Sequence, residues 1–297
     1  MELSEIFQPI LISLSRFFLI LGVSYILTLL SLPYLLKMIS KAGIVKENYR
    51  GERIPSAGGM VFISLLPVIT GLGLALGVAT FSNASVFLFL FVILGMGFLG
   101  FIDDQLGDHE VKGYKGHITK LLKEHELTTG GYKLLFGGVI ALVFSLGTAK
   151  LLTPRFELLS MILNFLLVCA AANTINLFDL RPGRAGKVYV LGFIIILVFS
   201  KTFENHIGLF LPILAILFAY LPLDLRAKVM LGDLGSNLLG ASLGMMMAWM
   251  FSDLSKAVAL ILIIGLQIAS EKYSFSEIIN KYQWLRALDD FGRRKKL

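Results

Sequence analysis

Long apolar segments alternate with short polar ones along most of the chain. With about 20 apolar residues needed for one membrane-spanning helix, the pattern predicts nine spans. They cover residues 10–36, 58–79, 85–102, 134–152, 156–177, 188–203, 206–223, 234–252 and 255–270. The predicted fold class is therefore all-α, a polytopic membrane helical bundle. The first run is too long for the apolar core of a signal peptide, so we expect it to remain as an uncleaved span.

Composition agrees with this pattern and excludes an ordinary soluble domain. Hydrophobic residues make up 56% of the 297 positions and charged residues only 16%, and the mean hydropathy is +0.80. A single cysteine, Cys169, lies inside an apolar run. It excludes an internal disulfide and a Cys/His zinc cluster.

Charge is concentrated in five polar stretches. Residues 37–57, 103–133, 178–187, 224–233 and 271–297 hold 22 of the 27 Lys and Arg and 15 of the 20 Asp and Glu. The positive-inside rule predicts that these stretches are cytoplasmic, with the N-terminus outside and the C-terminus inside an integral plasma membrane protein. The formal net charge of +7 then lies on the inner face. Such a face suits anionic lipids and anionic substrates.

The last polar stretch has the period of a surface helix. Ser274 and Glu277 have capping-box spacing, and apolar residues recur at helical spacing after them. These are Phe275, Ile278, Ile279, Tyr282, Leu285 and Leu288. We expect an amphipathic interfacial helix on the inner leaflet rather than a tenth span. The predicted organisation is a transmembrane domain, residues 1–270, and a cytoplasmic amphipathic tail, residues 271–297.

Two adjacent carboxylates, Asp103 and Asp104, end the third predicted span. The C-terminal end of a helix carries negative partial charge, so acids there are disfavoured. A structural role is therefore the weaker interpretation. Because the third span runs inward, both acids are expected at the cytoplasmic surface, where the site is predicted.

A second polar group ends the fifth span. Asn173, Asn176 and Asp179 are spaced by three and share one side of a helix, within an arc of about 120°. Asparagines at membrane depth are costly unless they have partners, which favours a functional face over a simple transition from helix to loop. The cations that follow are Arg181, Arg184 and Lys187. They suit phosphate oxygens, although a positive-inside anchor explains them nearly as well.

A further carboxylate, Asp233, begins the eighth span. It could simply cap that helix, but it also reaches the same face as Asp103, Asp104 and Asp179. Carboxylates this close repel one another by roughly 1 to 4 kcal/mol per pair. An all-oxygen ligand set predicts a hard cation, Mg²⁺ or Mn²⁺, and Mg²⁺ commonly bridges carboxylates to phosphates. A diphosphate substrate follows from this hypothesis.

The stretch 103–133 is rich in lysine and histidine. Its lysines are interpreted mostly as a solvated basic face, and its histidines as incidental rather than metal ligands. The lysines are Lys112, Lys115, Lys120, Lys123 and Lys133, and the histidines are His109, His117 and His125.

Taken in order, these motifs resemble the polyprenyl-phosphate N-acetylhexosamine-1-phosphate transferases of glycosyltransferase family 4, over about residues 40–245. The matching elements are Lys46 with Asn48-Tyr-Arg50, Ile54-Pro-Ser-Ala-Gly-Gly59, Phe101-Ile-Asp-Asp104, Lys112-Gly-Tyr-Lys-Gly116, Asn173-x-x-Asn176-x-x-Asp179 and Gly232-Asp-x-Gly-Ser236. Each is weak alone, and together they are specific.

The resemblance implies a membrane transferase that moves a sugar 1-phosphate from a UDP-sugar to a polyprenyl phosphate and releases UMP, with Mg²⁺. It makes Asp103, Asp104 and Asp179 catalytic candidates, and Asp233, Asp179 and Asp104 metal candidates. The substrate-binding candidates are Lys46, Asn48, Arg50, Lys112, Lys115, Asn173, Asn176, Arg181 and Arg184. The expected partners are the donor, the lipid acceptor and membrane lipids, not nucleic acid. A homodimer is left open.

Two departures from the family pattern bear on which donor substrate is expected. Asp179 is followed by Leu-Arg-Pro-Gly-Arg-Ala where Asp-Gly-x-Asp-Gly-x-Ala is common, and no histidine occurs after His206. A role with the peptidoglycan precursor is therefore disfavoured. The alternatives are a non-catalytic homologue and a secondary transporter or lipid flippase that uses the interfacial carboxylates; transporters usually place such acids near the membrane midplane.

Overall fold

A computed structural model of the chain describes residues 3–77, 81–107, 120, 123, 127–149, 157–200 and 206–293. The helices are α1 (Leu3–Lys41), α2 (Met60–Ala75), α3 (Asn83–Leu106), α4 (Thr129–Thr148), α5 (Leu158–Phe178), α6 (Arg184–Phe199), α7 (Ile207–Leu225), α8 (Gly232–Met250), α9 (Asp253–Lys272), α10 (Phe275–Lys281) and α11 (Gln283–Asp290).

Helices α1 to α9 occupy the nine apolar segments predicted from the sequence. Six of the described helices are long and apolar enough to cross a membrane: α1 from Ser15 onward, α3, α4, α5, α7 and α9, and α2 is a shorter apolar helix. The fold is an all-α polytopic membrane bundle, as predicted. The ends shift by a few residues because polar residues such as Asp103 and Asp104 continue α3 beyond its apolar part.

Helix α8 forms the centre of the bundle, and 16 of its 19 residues are buried. It packs mainly against α3 and α5. A Cβ atom added to Gly240 would lie 2.3 Å from the carbonyl oxygen of Ala171, and one added to Gly244 would lie 2.6 Å from the Cα of Val168. The helix backbones therefore approach closely, as small residues allow between membrane helices. This crossing fixes the start of α8 relative to the end of α5.

A short antiparallel hairpin, which hydropathy did not predict, follows α1. Strands β1 (Val45–Glu47) and β2 (Arg53–Pro55) pair Lys46 with Ile54. The hairpin is attached to the connection before α8, since the N–H of Met230 donates to the Pro55 carbonyl at 2.8 Å. The N–H groups of Gly58 and Gly59 donate in turn to the carbonyls of Met230 and Leu231. The polar segment after α1 is thus tied to the start of α8.

The tail forms two short helices instead of the single amphipathic helix that was predicted. The predicted cap is present, because the Ser274 hydroxyl accepts from the N–H of Glu277. Tyr282 adopts an extended conformation (φ −103°, ψ 117°) and separates α10 from α11. Trp284 and Leu288 remain exposed on α11, while its polar side contacts the bundle. Location on the inner leaflet stays a prediction.

Candidate active site

The hairpin is closed by the buried side chain of Asn48. Its Oδ1 accepts from the N–H groups of Arg50 and Glu52, at 2.8 and 3.0 Å. Its Nδ2 donates to Glu52 Oε2 at 2.8 Å and to the carbonyl of Ala227 at 3.1 Å. Every polar atom of this side chain is used inside the protein. In the structure Asn48 therefore shapes the hairpin and ties it to the connection between α7 and α8.

Asp104 joins the end of α3 to the start of α8. Its Oδ2 accepts from the backbone N–H of Asp233 at 2.6 Å, and its Oδ1 lies 3.1 Å from Lys46 Nζ. Gly232 supports this contact with a left-handed conformation (φ +74°), which glycine adopts without strain. A Cβ atom added to Gly100 would lie 2.2 Å from the Asp233 carbonyl oxygen. Helices α3 and α8 therefore meet backbone to backbone at the site.

Asp103, the residue before Asp104 on α3, contacts Lys133 of α4. Lys133 Nζ lies 3.0 Å from Asp103 Oδ2 and 2.6 Å from Asp233 Oδ2. One lysine thus bridges two carboxylates on different helices. The sequence placed Lys133 in a solvated basic face, but only 22% of its side chain is exposed. Its position directly before the fourth apolar segment was the only signal in the sequence.

Two asparagines and a serine complete the surroundings of Asp233. Asn176 Nδ2 donates to Asp233 Oδ2 at 3.1 Å, and Asn176 Oδ1 accepts from the Ser236 hydroxyl at 3.2 Å. Asn237 Nδ2 donates to the Asp233 carbonyl at 2.6 Å. Asp233 also lies in the first turn of α8, where the helix dipole favours an anion. The predicted convergence of the fifth and eighth segments is therefore present.

Asp179 follows the last residue of α5 and accepts a hydrogen bond from the backbone of Gly232. Burial raises the pKa of its carboxyl well above the usual range, and three neighbouring carboxylates raise it further. They are those of Asp224, Asp233 and Asp104. Asp224, which the sequence analysis did not select, is buried in the last turn of α7. Its signal was its position directly after the seventh predicted span, at the start of the polar stretch 224–233.

These residues form the carboxylate cluster, defined as Asp103, Asp104, Asp179, Asp224 and Asp233, with Lys46 and Lys133 as its two lysines. The cluster carries more formal negative than positive charge. Its oxygen donors match the preference of Mg²⁺. In the described part of the chain, however, no three Asp, Glu, His or Cys side chains are grouped to hold a metal ion, and a lysine lies between Asp103 and Asp233.

A cavity of about 670 Å³ opens beside the carboxylate cluster, between α3, α4, α5, α8 and α9. Most of its lining is apolar and includes Leu134, Leu166, Leu260 and Ile264. Lys133, Asn173 and Asn237 bring polar groups to its wall. Lys133 therefore links the wall of the cavity to the carboxylates of Asp103 and Asp233.

The other predicted substrate ligands that the structure describes are exposed or make contacts outside the cluster. Arg50 packs over the ring of Tyr49, with its guanidinium carbon 5.1 Å from the ring centroid. Arg181 is exposed. Arg184 is buried and forms an ion pair with Asp289 of the tail. Lys112 and Lys115, like His109, His117 and His125, lie outside the described residues, so their predicted roles have no structural counterpart here.

Comparison with known proteins places this geometry in context. Residues 86–251 match the model of Glycosyl transferase family 4. A phospho-N-acetylmuramoyl-pentapeptide-transferase of Fervidobacterium nodosum is 31% identical over 216 residues, which are 68% of this chain and 61% of that protein.

Enzymes with the same name from Staphylococcus haemolyticus and Shouchella clausii are also similar. The first is 28% identical over 283 residues, 88% of this chain and 82% of the relative. The second is 27% identical over 260 residues, 81% of this chain and 74% of the relative. The matched part of this chain includes Asp103, Asp104, Lys133, Asp179 and Asp233.

Proposed function

This chain belongs to glycosyl transferase family 4, and we propose that it transfers a sugar 1-phosphate from a UDP-sugar to a polyprenyl phosphate, on the cytoplasmic face. The observation that supports this most directly is the contact of Lys133 with both the apolar cavity and the carboxylate cluster. An isoprenoid chain suits the cavity. Its phosphate would then lie beside Lys133, next to the carboxylates.

The proposed reaction is an exchange of phosphate esters. A phosphate oxygen of the lipid attacks the phosphorus that carries the sugar, and a new P–O bond forms. The bond from that phosphorus to the oxygen shared with the second phosphate breaks, and UMP leaves with the bonding electrons. Because a lipid phosphate is ionised at pH 7, the nucleophile needs no proton transfer. We therefore assign Asp103 and Asp104 to organising charge rather than to general base catalysis.

The protein's own groups divide this work. Lys133 and Lys46 provide positive charge for phosphate oxygens, and Asn173 and Asn176 provide polar groups at the cavity side of α5. Asp104, Asp179 and Asp233 are the candidate ligands for Mg²⁺, which would neutralise diphosphate charge, although in the described part of the chain no three such side chains are already grouped to hold a metal ion. Lys133 would in that case keep Asp103 paired. The two lysines also relieve the repulsion among the carboxylates in the absence of any ligand.

The names of the relatives favour one donor within this proposal. They describe transfer of phospho-N-acetylmuramoyl-pentapeptide, so the corresponding UDP-linked donor is a second candidate. The altered sequence after Asp179 and the absence of histidine after His206 instead favour a smaller UDP-sugar. Both donors use the same reaction.

The test is an assay of the purified chain in lipid vesicles with polyprenyl phosphate, Mg²⁺ and a panel of UDP-sugars that includes the pentapeptide donor. We expect release of UMP together with a sugar-diphospho-lipid, and at least a 100-fold lower rate for Asp233→Asn. Absence of UMP with every donor would reject the transferase proposal. Release of UMP at an unchanged rate by Asp233→Asn would reject the site.

A further inference from the structure

The connection between α5 and α6, residues 179–183, carries Asp179 and is held at both ends by the tail. At its start, the ring of Phe178 stacks on the ring of Phe275, with centroids 4.8 Å apart and planes within 3°. At its end, Arg184 donates from Nε and Nη2 to the two carboxylate oxygens of Asp289, each at 2.8 Å. Nη1 of Arg184 donates to the Ser276 hydroxyl at 3.0 Å.

A second arginine binds the same carboxylate. Arg293 donates from Nη1 and Nη2 to Asp289, each at 2.8 Å, and from Nε to the carbonyl of Pro182 at 2.7 Å. Asp289 thus accepts four charge-assisted hydrogen bonds from two guanidinium groups. Only 9% of its side chain is exposed. Paired forks of this kind are strong and fix orientation as well as distance.

Lys187 attaches the first turn of α6 to the end of α11. Its Nζ donates to the carbonyls of Leu288 at 3.2 Å and Phe291 at 3.0 Å, and also to the carbonyl of Asp289. These carbonyls lie at or just beyond the negative C-terminal end of α11, where a cation is favourable. We name Arg184, Lys187, Asp289 and Arg293 the tail clamp.

The cations of the tail clamp bind Asp289 or backbone carbonyls of the protein itself. Arg184 is buried and Asp289 is largely covered, and removal of Asp289 would leave the Arg184 charge buried without that partner, which is costly. The connection they hold is short, and Asp179 lies at its first position. Small displacements of groups around reacting atoms reduce rates strongly.

We propose that Asp289 is a positioning residue: by binding Arg184 and Arg293 it fixes residues 178–184, and so holds Asp179 against the N-terminus of α8. The effect on catalysis rests on the proposed function, whereas the effect on the connection does not. The tail is thereby part of the active-site architecture rather than only a membrane contact.

Hydrogen–deuterium exchange of the full chain in vesicles tests the structural half of this proposal. We expect Asp289→Asn to increase exchange in peptides that cover residues 178–187 by at least tenfold. Asp290→Asn is the matched control, because Asp290 is adjacent and more exposed, and its contact with Arg293 is longer, at 3.3 Å. Unchanged exchange in Asp289→Asn would overturn the proposal, as would an equal increase in Asp290→Asn.

Transfer kinetics test the catalytic half. We expect Asp289→Asn to lower kcat by about 10- to 100-fold with a donor KM within about twofold, and Asp289→Glu to recover part of the loss. In an Asp179→Asn background the same change should have no further effect, because the two act through one route. Full additivity in that background would overturn the assignment.

A second variant distinguishes a local loss of contacts from general unfolding. Arg293→Gln removes the bonds to Pro182 and Asp289 but leaves Arg184 paired, and we expect a smaller increase in exchange over residues 178–187. Loss of protection throughout the bundle in both variants would overturn a local role for the tail clamp. If no UMP is released with any donor but exchange rises as described, the positioning inference stands and the proposed transferase function fails.

Discussion

The carboxylate cluster and the tail clamp are neighbouring groups of charged residues with opposite balance. The cluster combines five carboxylates with two lysines, whereas the tail clamp combines one carboxylate, bound by two arginines, with a lysine that binds nearby backbone carbonyls. Asp289 has all its charge matched by guanidinium groups, but the cluster keeps excess negative charge at the mouth of a cavity. Matched charge holds structure together, and unmatched charge is available to a ligand.

The largest expected effect comes from removing the cation that links the cluster to the cavity. Lys133→Met leaves Asp103 and Asp233 without their shared partner and removes positive charge beside the proposed site of the acceptor phosphate. We expect the transfer rate to fall by about 100- to 1,000-fold, as for loss of one essential charge-stabilising donor. The rate of UMP release measures it.

Lys228→Met is the control for this change, because Lys228 is exposed on the connection between α7 and α8. It should keep a rate near that of the unchanged chain. If Lys133→Met retains more than a tenth of the rate, its effect is no larger than the one expected for the tail-clamp variant Asp289→Asn. The proposed functional difference between the cluster and the tail clamp would then be wrong.

An intermediate effect is expected from crowding the cluster without changing charge. In Gly100→Ala the new methyl group would lie 2.2 Å from the Asp233 carbonyl oxygen, so α3 and α8 must separate. Overpacking of this kind typically costs about 1–3 kcal/mol. We expect lower thermal stability in detergent together with a reduced transfer rate.

Gly71→Ala provides the matched substitution in a helix, since nothing lies within 4 Å of a Cβ atom at Gly71. Its melting temperature should be unchanged or higher, because alanine favours helix. Equal melting temperatures for the two variants would show that the backbone contact at Gly100 does not support the cluster.

The smallest effect is expected when the pH is lowered. Down to pH 5, mild acid should not weaken the tail clamp at all. Burial opposes ionisation of Asp289, but Arg184 and Arg293 more than offset it and hold the pKa of that carboxyl well below its usual range. A lowered folded-state pKa means that this stabilisation is complete above the unfolded value of about 4 and is lost as pH falls below it.

Exchange over residues 178–187, corrected for its intrinsic pH dependence, should therefore show the same protection at pH 7 and pH 5. Loss of protection between those values would indicate that the pKa of the Asp289 carboxyl is raised rather than lowered, because an unperturbed carboxyl, with a pKa of about 4, is also ionised over that range. The tail clamp would then be weaker than its geometry suggests.

Sequence alone predicted the bundle and much of the carboxylate cluster, because hydrophobic length and span parity place whole helix ends on one side. Asp104, Asn176 and Asp233 meet for that reason. Lys133 was misinterpreted because helical rotation of α4 about its own axis decides whether this lysine faces α3 or solvent. That rotation depends on packing, which a one-dimensional pattern does not contain.

The tail clamp could not be predicted from the sequence, because its residues are far apart along the chain. Arg184 and Asp289 are separated by 105 residues, and each has an ordinary local explanation, as a positive-inside anchor and as a polar helix residue. The break at Tyr282 turns the polar side of α11 toward Arg184. Likewise, Asn48 matched a family motif, but its contacts with Ala227 and the hairpin turn were visible only in three dimensions.

The separate lysines of Asp103 and Asp104 have a consequence for how the chain is made. Lys46 precedes Asp104 by 58 residues, and Lys133 follows Asp103 by 30, whereas Asp233 comes 100 residues after Lys133. Synthesis from the N-terminus therefore delivers a counter-charge to each member of the pair long before α8 exists. Since unpaired charge is costly near lipid, Asp104 and Asp103 can each be paired before α8 is made, and the later carboxylates of Asp179, Asp224 and Asp233 join a pair of acids whose charge is already balanced.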